Sequence, residues 1–520
     1  NQNPDLLIPR PYYYDKDGNY QEAEWEVEEN KLILSIKTTK DKYPLSVDPT
    51  LSFTAPGVSN GGVVIESAEG GLFGRHIAVG DLNADGKTDL VVGATSYSAG
   101  GRAYIFYNDG QYSTAASSAD VIITSEASGN NFGRTPATGD LNADGKTDLI
   151  VGASGYSSTT GRAYIFYNDG SYPAGAASAD VIITGENTGD NFSYGIATGD
   201  LNADARTDLV IGGTSYSGTT GRAYVFYNDG SIPTTAATAD AIITGEAAGD
   251  GLGITLSPGD LNADGKTDLI VGASGYSSST GRAYIFYNGS ITTENASGAD
   301  VVITGEASSS LGNNATGDLN ADGRTDLVLR GGGVQRIYIF YNDGSIPTTA
   351  ATADVIIDGE ASSNLGFALT TGDLNADGRT DLVAGAYSYS SSAGRVYVFY
   401  NDGSYPTTAV TADVIITGDS TNRFGWVLET GDFNTDGRVD LVTSADLGNK
   451  AYIFYSQNGV LNTNRDITGE ATSNYFGYRI TSGDLNADGK TDLAVGAYGH
   501  STATGRTYIF YGGSAIDTSP

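Results

Sequence analysis

Along most of the chain, apolar residues come in short bursts separated by Gly, Asn, Asp and Ser, and the bursts recur in a fixed order. One unit reads "ADVIITGE", then "NFGRTPATGD", then an acidic loop running into "TDLIVGA", then a Ser/Tyr/Gly loop, then "GRAYIFYNDG". The first, third and fourth stretches alternate or run apolar between turn formers, and the second is bracketed by glycines, so each unit is predicted to hold four short strands. The acidic loop begins at Asp81, Asp140, Asp200, Asp260, Asp318, Asp373, Asp432 and Asp484, in steps of 59, 60, 60, 58, 55, 59 and 52 residues. Eight copies therefore tile residues 63–511. Four strands repeated at this spacing predict an all-β fold, a β-propeller in which each unit is one radial sheet and the ring hides the sheet edges. The last unit stops at "RTYIFYGG" with no outer strand to follow, while "VVIES" (63–67) stands alone before the first unit. This N-terminal strand is predicted to complete the last blade and fasten the ring.

Residues 1–50 break the pattern and are read as a small extension, with the propeller over 51–513 and a tail over 514–520. Within the extension "EAEWEVEENKLILSIK" alternates, with Leu32, Leu34 and Ile36 on one face and "EEN" at the turn, which predicts a β-hairpin. "YPLSVDPTLSF" reads as an extended, proline-punctuated linker. A lone hairpin is marginal in water. It is expected to pack on the ring or on a neighbouring chain, which opens a route to self-assembly.

Composition narrows the function. With 62 acidic against 28 basic residues the formal charge is −34, which disfavours nucleic acid and anionic membranes as partners. The 72 glycines and 34 tyrosines suit tight turns and short strands. There is no Cys, which excludes disulfides and thiol chemistry, and no Met, as expected of a processed or partial product. No apolar run approaches the roughly 20 residues of a membrane helix, so membrane insertion is not expected.

The acidic loops carry the clearest chemistry. Ca²⁺ takes six to eight oxygen ligands, and side chains at loop positions 1, 3 and 5, a backbone carbonyl at 7 and a carboxylate at 9 can supply them around a glycine at 6. In the first unit these are Asp81, Asn83, Asp85, the Lys87 carbonyl and Asp89, with Gly86 at the turn. The second offers Asp140, Asn142, Asp144, Lys146 and Asp148; the third Asp200, Asn202, Asp204, Arg206 and Asp208. The fourth offers Asp260, Asn262, Asp264, Lys266 and Asp268; the fifth Asp318, Asn320, Asp322, Arg324 and Asp326. The sixth has Asp373, Asn375, Asp377, Arg379 and Asp381, the seventh Asp432, Asn434, Asp436, Arg438 and Asp440, and the eighth Asp484, Asn486, Asp488, Lys490 and Asp492. Up to eight Ca²⁺ are expected, one per repeat. An EF-hand or dockerin loop would need an acid at position 12 and a helix beyond; here Val92 stands there in a strand-like run. Ala205 replaces the turn glycine of the third loop and is expected to weaken that site.

Together with "LFG" (72–74) upstream and "VGA" (92–94) downstream, the "DLNADGKTD" loop (81–89) resembles the FG-GAP repeats of integrin α-subunits and bacterial surface proteins. The resemblance covers residues 63–511. "FG" becomes "FS" at 192–193 and "LG" at 252–253, 311–312 and 365–366; the fifth unit has "LRGGG" (329–333) for "GA", and the seventh runs "VTSADLG" (442–448). Integrin propellers have seven blades and this chain has eight repeats, so eight blades are expected, with seven plus a stray unit as the alternative. The resemblance implies an extracellular or cell-surface setting, where millimolar calcium fills even weak sites.

Other chemistry is sparse. Only His76 and His500 could serve a Ser–His–Asp arrangement, and no G-x-S-x-G elbow occurs, so an enzyme is not expected. If the acidic loop joins the first two strands, the loop joining the next pair emerges on the opposite face. That face carries "TSYSAGG" (95–101), "SGYSSTTG" (154–161) and their counterparts, rich in residues suited to adaptable recognition. Integrin-like propellers bind ligands on that face, so a protein or glycan partner is expected there. The reading is a non-enzymatic adhesion or surface-assembly module; a carbohydrate-binding lectin and a structural subunit of a sheath or filament are the alternatives.

Overall fold

The computed structural model describes residues 62–513 apart from 290, 420, 458–459 and 471–472, together with five short strands nearer the N-terminus. The chain divides into two units, Asn1–Gly57 and Val58–Thr518.

In the first unit Glu24–Glu28 pairs antiparallel with Lys31–Ser35, Val27 standing opposite Leu32, which is the expected hairpin; Ile36 lies outside the described residues. The stretch read as linker differs from expectation. Its Ser46–Asp48 is a strand that pairs with Tyr12–Tyr14, which pairs in turn with Tyr20–Glu22, so backbone groups of a nominal linker are satisfied in a three-stranded sheet. Residues 49–61 and the tail at 514–520 lie outside the described residues.

The second unit is a ring of eight antiparallel sheets with at least four strands each, an eight-bladed β-propeller. The first blade runs His76–Gly80, Asp89–Ala94, Arg102–Phe106 and Val121–Thr124. The second repeats this with Arg134–Gly139, Asp148–Ala153, Arg162–Phe166 and Val181–Thr184. First strands of successive blades lie against one another, which places them innermost, around the ring axis. The third blade gains a fifth, parallel strand, Glu294–Asn295.

Burial explains why the second strands read as continuous apolar runs: both of their faces are covered. In the third blade Leu209 and Ile211 pack with Ile150 and Ile165 of the second, whereas Val210, between them, packs with Leu269 and Val271 of the fourth. A β-strand's period of two thus sends alternate side chains into two different interblade cores.

The FG and GA pairs are two halves of one contact. Phe132 is fully buried, edge-on to Tyr164 and Phe166 at 5.3 and 6.5 Å between centroids. Its neighbour Gly133 presses its carbonyl on the preceding blade's Gly93, where a Cβ would lie 2.0 Å away. Leu252, Leu311 and Leu365 fill the phenylalanine position and are equally buried, so the "LG" variants change size and not role. In the fifth blade Arg330 stands at this glycine's position, as Ser444 does in the seventh; Arg330 reaches the Leu365 carbonyl at 3.3 Å and Asn364 Oδ1 at 3.1 Å.

The ring closes as expected. Val63–Glu66 is the outer strand of the last blade, with Val63 opposite Ile509 and Glu66 opposite Arg506. Ile65 is fully buried in a core shared by the first and last blades, and Phe73 bridges to Gly505 across the same seam.

Candidate metal centres and the opposite mouth

All eight acidic loops join the first strand of a blade to the second, so all eight lie on one face of the ring. In the first loop the Asp85 N–H donates to Asp81 Oδ1 and Asn83 Oδ1 at 3.1 and 3.0 Å. Gly86 N–H donates to Asp81 Oδ2 at 2.9 Å, and Lys87 N–H to Asp85 Oδ1 at 3.0 Å. Side chains at positions 1, 3 and 5 are thus folded back over their own loop. The same bonds recur at Asp140, Asn142 and Asp144, at Asp318, Asn320 and Asp322, and at Asp484, Asn486 and Asp488.

Position 9 does something the sequence did not announce. Asp89 is fully buried, with Oδ2 accepting from Leu82 N–H at 2.8 Å and Oδ1 from Asn108 N–H at 2.7 Å. Its carboxylate therefore ties the start of the loop to the end of the third strand. Asp148, Asp208, Asp268, Asp326, Asp381, Asp440 and Asp492 make the equivalent pair of bonds. Burial pushes the Asp89 carboxyl up to about 6, the two N–H groups pulling the other way and the Asp85 and Asp81 charges adding to the rise. Position 7 also has a second use: Lys87 Nζ reaches the Asn108 carbonyl at 3.0 Å and Arg206 the Asn228 carbonyl at 3.1 Å.

Two consecutive requirements shape the loop backbone. Gly86 has φ +82° as expected, but Ala84 two residues earlier also has a positive φ, +59°, and so do its counterparts in the other seven loops. Ala205 adopts φ +66° and keeps the bond from its N–H to Asp200 Oδ2 at 2.9 Å. The loops are also linked around the ring. Asn168 Nδ2 donates to the Asp81 carbonyl of the preceding blade at 3.4 Å, Asn228 to Asp140 at 3.2 Å, and Asn108 to Asp484 across the seam at 3.3 Å.

Among the described residues no three His, Cys, Asp or Glu side chains are gathered in a metal-holding cluster. Asp89 spends one lone pair of each oxygen on these N–H groups and keeps the other. The donor set is nevertheless all oxygen and acidic, the chemistry a hard divalent cation takes.

On the opposite face the loop tyrosines are held in place by stacking. Tyr97, Tyr156, Tyr216, Tyr276 and Tyr389 each lie under an arginine of their own blade, with Cζ 3.6–3.9 Å from the ring centre. Each arginine also pairs with a glutamate from the turn after the preceding blade's outer strand, as Arg162 does with Glu126 at 2.9 Å. Desolvated stacking and pairing hold these rings half-buried, leaving Ser and Thr as the exposed loop residues. His500 takes the tyrosine position in the last blade, 3.4 Å from Glu470.

At the axis on that face, the residues following seven of the FG-type pairs rim the channel, a set the repeat pattern hides because it varies. One arc is aromatic: Phe367, Trp426 and Tyr478 follow one another at 4.6 and 6.0 Å, and Tyr498 lies 4.7 Å from Tyr478. The other holds Arg75, Arg134, Tyr194 and Ile254, with His76 and Arg479 beside them.

Comparison with known proteins agrees with the blade anatomy. An FG-GAP-like repeat model matches residues 81–151 and 140–211, and an FG-GAP repeat model matches 252–286, 365–399 and 476–510. The chain is an FG-GAP propeller similar to integrin α chains. It is 31% identical to chicken (Gallus gallus) integrin alpha-6 over 175 residues, 30% of this chain and 16% of that protein. With Drosophila melanogaster integrin alpha-PS2 it shares 28% over 329 residues, 54% of this chain and 22% of that one. It is also 33% identical to bovine (Bos taurus) phosphatidylinositol-glycan-specific phospholipase D over 180 residues, 30% of this chain and 22% of that protein. The FG-GAP propeller thus matches no more than about a fifth of the length of each of these relatives.

Proposed function

We propose that this FG-GAP propeller is an extracellular, calcium-stabilised, non-enzymatic module for adhesion or surface assembly, which takes a protein or glycan ligand on the face opposite its acidic loops. One observation carries the reading: eight loops on one face each fold an Asp, an Asn and a second Asp over the same turn. In each loop positions 1, 3 and 5, the carbonyl at 7 and the carboxylate at 9 would hold the ion. Bound calcium supplies positive charge against clustered carboxylates; eight ions would bring the formal charge from −34 to −18. The chain's own part is to hold those oxygens in place through loop N–H groups and to pass loop order around the ring through Asn108, Asn168 and Asn228.

A non-enzymatic role is supported by the fate of the two histidines. His76 is enclosed among arginines, and burial with the Arg479, Arg134 and Arg75 charges pushes it down to about 3. His500 is engaged with Glu470 and Glu66. The similarity to a phospholipase D spans 22% of that enzyme and assigns no reacting group here.

A ligand that binds only the folded state adds RT ln(1 + [L]/Kd) per site, about 2.7 kcal/mol at a hundredfold excess over Kd. Melting the chain in millimolar calcium, in magnesium and in excess EDTA tests the reading, together with a glycan and protein array probed in calcium. Chelation is expected to lower the melting temperature sharply, with magnesium a poor substitute. An unchanged melting curve would defeat the calcium role, and an array with no ligand in calcium would defeat the adhesion role.

A further inference from the structure

At the channel mouth opposite the acidic loops lies a cavity of about 360 Å³, whose walls come from the inner strands of five blades. Its charge runs against that of the molecule. On a chain of net charge −34, Arg134 and Arg479 line the cavity, Arg75 follows Gly74 at the start of the neighbouring inner strand, and His76 is pushed down first by burial and then by these three arginines. Among the described residues these three arginines have no ion-pair partner, although 13 ion pairs engage Arg and Lys side chains elsewhere on the ring. Arg134 Nε and Arg75 Nε are buried with no hydrogen-bond partner. Unpaired cationic groups beside a cavity leave charge that an entering anion can complete.

The details narrow the ligand. Arg134 is stacked on Tyr194 with Cζ 4.2 Å from the ring centre, so its guanidinium plane is fixed beside the cavity. A fixed fork of this kind suits a planar carboxylate. Tyr194 and Ile254, 39% and 45% exposed, give the cavity an apolar flank of ring size. His76, held neutral, and Thr135, whose hydroxyl donates to the Tyr194 carbonyl at 3.2 Å and can still accept, match sugar hydroxyls. The chain's overall negative charge repels a polyanion, which favours a single carboxylate on an otherwise uncharged body.

We propose that this mouth binds one carboxylated sugar residue of an otherwise neutral glycan, with the carboxylate between Arg134 and Arg479 and the sugar ring against Tyr194 and Ile254. This rests on the placement of the ligand face given above and names the ligand's class. The site is distinct from the acidic loops, which lie at the other end of the inner strands.

The test uses the full chain in millimolar calcium, with titration calorimetry against methyl glucuronoside, methyl glucoside, N-acetylaspartate amide and a neutral oligosaccharide capped by glucuronic acid. The glucuronoside and the capped oligosaccharide are expected to bind, and the glucoside, lacking only the carboxylate, at least tenfold more weakly. Arg134→Gln and Arg479→Gln are each expected to weaken glucuronoside binding tenfold or more, and Arg134→Lys, which keeps charge but loses the fork, to weaken it measurably. Unchanged affinity in both Gln variants, equal affinity for glucoside, or tighter binding of N-acetylaspartate amide than of the glucuronoside would overturn the proposal. Calcium-dependent melting of the same samples reports on fold and on the calcium role separately. A chain that melts in a calcium-dependent way yet ignores every sugar would overturn this inference and leave that role standing.

Discussion

Deleting residues 1–67 is expected to open the ring, whereas deleting 1–50 is not. The longer deletion removes Val63–Glu66, the outer strand of the last blade, paired with Arg506–Ile509. It also removes Ile65, fully buried in the core shared by the first and last blades. Truncating a buried isoleucine costs about 2–5 kcal/mol. Backbone hydrogen bonds of the lost ladder add about 0.5–1.5 kcal/mol each. Arg506 loses Glu66, a partly exposed pair at 2.9 Å that adds at most about 1 kcal/mol. The loss is on the order of 5 kcal/mol or more, as large as the whole stability of many domains, and it leaves an unpaired strand edge at Arg506–Phe510 that invites aggregation. Deleting 1–50 removes residues of the other unit and is expected to change propeller stability by less than about 1 kcal/mol. Ile65→Ala should fall between, losing about 2–5 kcal/mol. Urea unfolding followed by tyrosine near-ultraviolet dichroism, in calcium, ranks the three. Equal midpoints for the two deletions would refute the closure argument.

Three further outcomes follow from particular contacts. Ala205→Gly relieves a left-handed alanine at φ +66° and is expected to stabilise the chain by about 1 kcal/mol and to tighten the third loop's calcium site; unchanged melting and calcium affinity would show that the loop tolerates alanine without strain. Gly385→Ala places a Cβ 2.2 Å from the Gly425 carbonyl of the next blade and is expected to cost about 1–3 kcal/mol by thermal unfolding; a neutral result would mean the blades can separate freely there. Burial alone pushes Glu429, on the inner strand of the seventh blade, up to about 7 from 4.5. The folded state then holds this proton longer than the unfolded one, so stability falls as pH rises from about 4.5 to 7, by up to about 3 kcal/mol. Glu429→Gln should flatten that slope and stabilise the chain at pH 8, and an unaltered pH profile would exclude Glu429 as its source.

The parts legible in the sequence were those that repeat. Four apolar bursts at a period near sixty, and a lone "VVIES" before the first unit, were enough to place eight blades and the strand that closes them. The same repetition concealed roles that share a residue. Asp89 reads as a loop acid because its spacing is that of a ligand, and that spacing does not reveal that two N–H donors also make it the tie between loop and third strand. Ala84 gave no signal of its positive φ, since alanine is not a residue that advertises one. The stacking of the loop tyrosines was not legible because the arginine over each comes from the strand that follows and the glutamate from the turn after the preceding blade's outer strand. Arg75, Arg134, Tyr194 and Arg479 escaped notice for the opposite reason: they differ from blade to blade, and only ring geometry brings them to one mouth.

Counting bound calcium tests the central claim most directly. Equilibrium dialysis of the full chain against millimolar calcium, with metal measured by mass spectrometry, is expected to give eight ions per chain. The third loop, which carries Ala205, should empty first as calcium is lowered. A chain that retains no calcium above the dialysate, although its propeller is folded, would contradict the account.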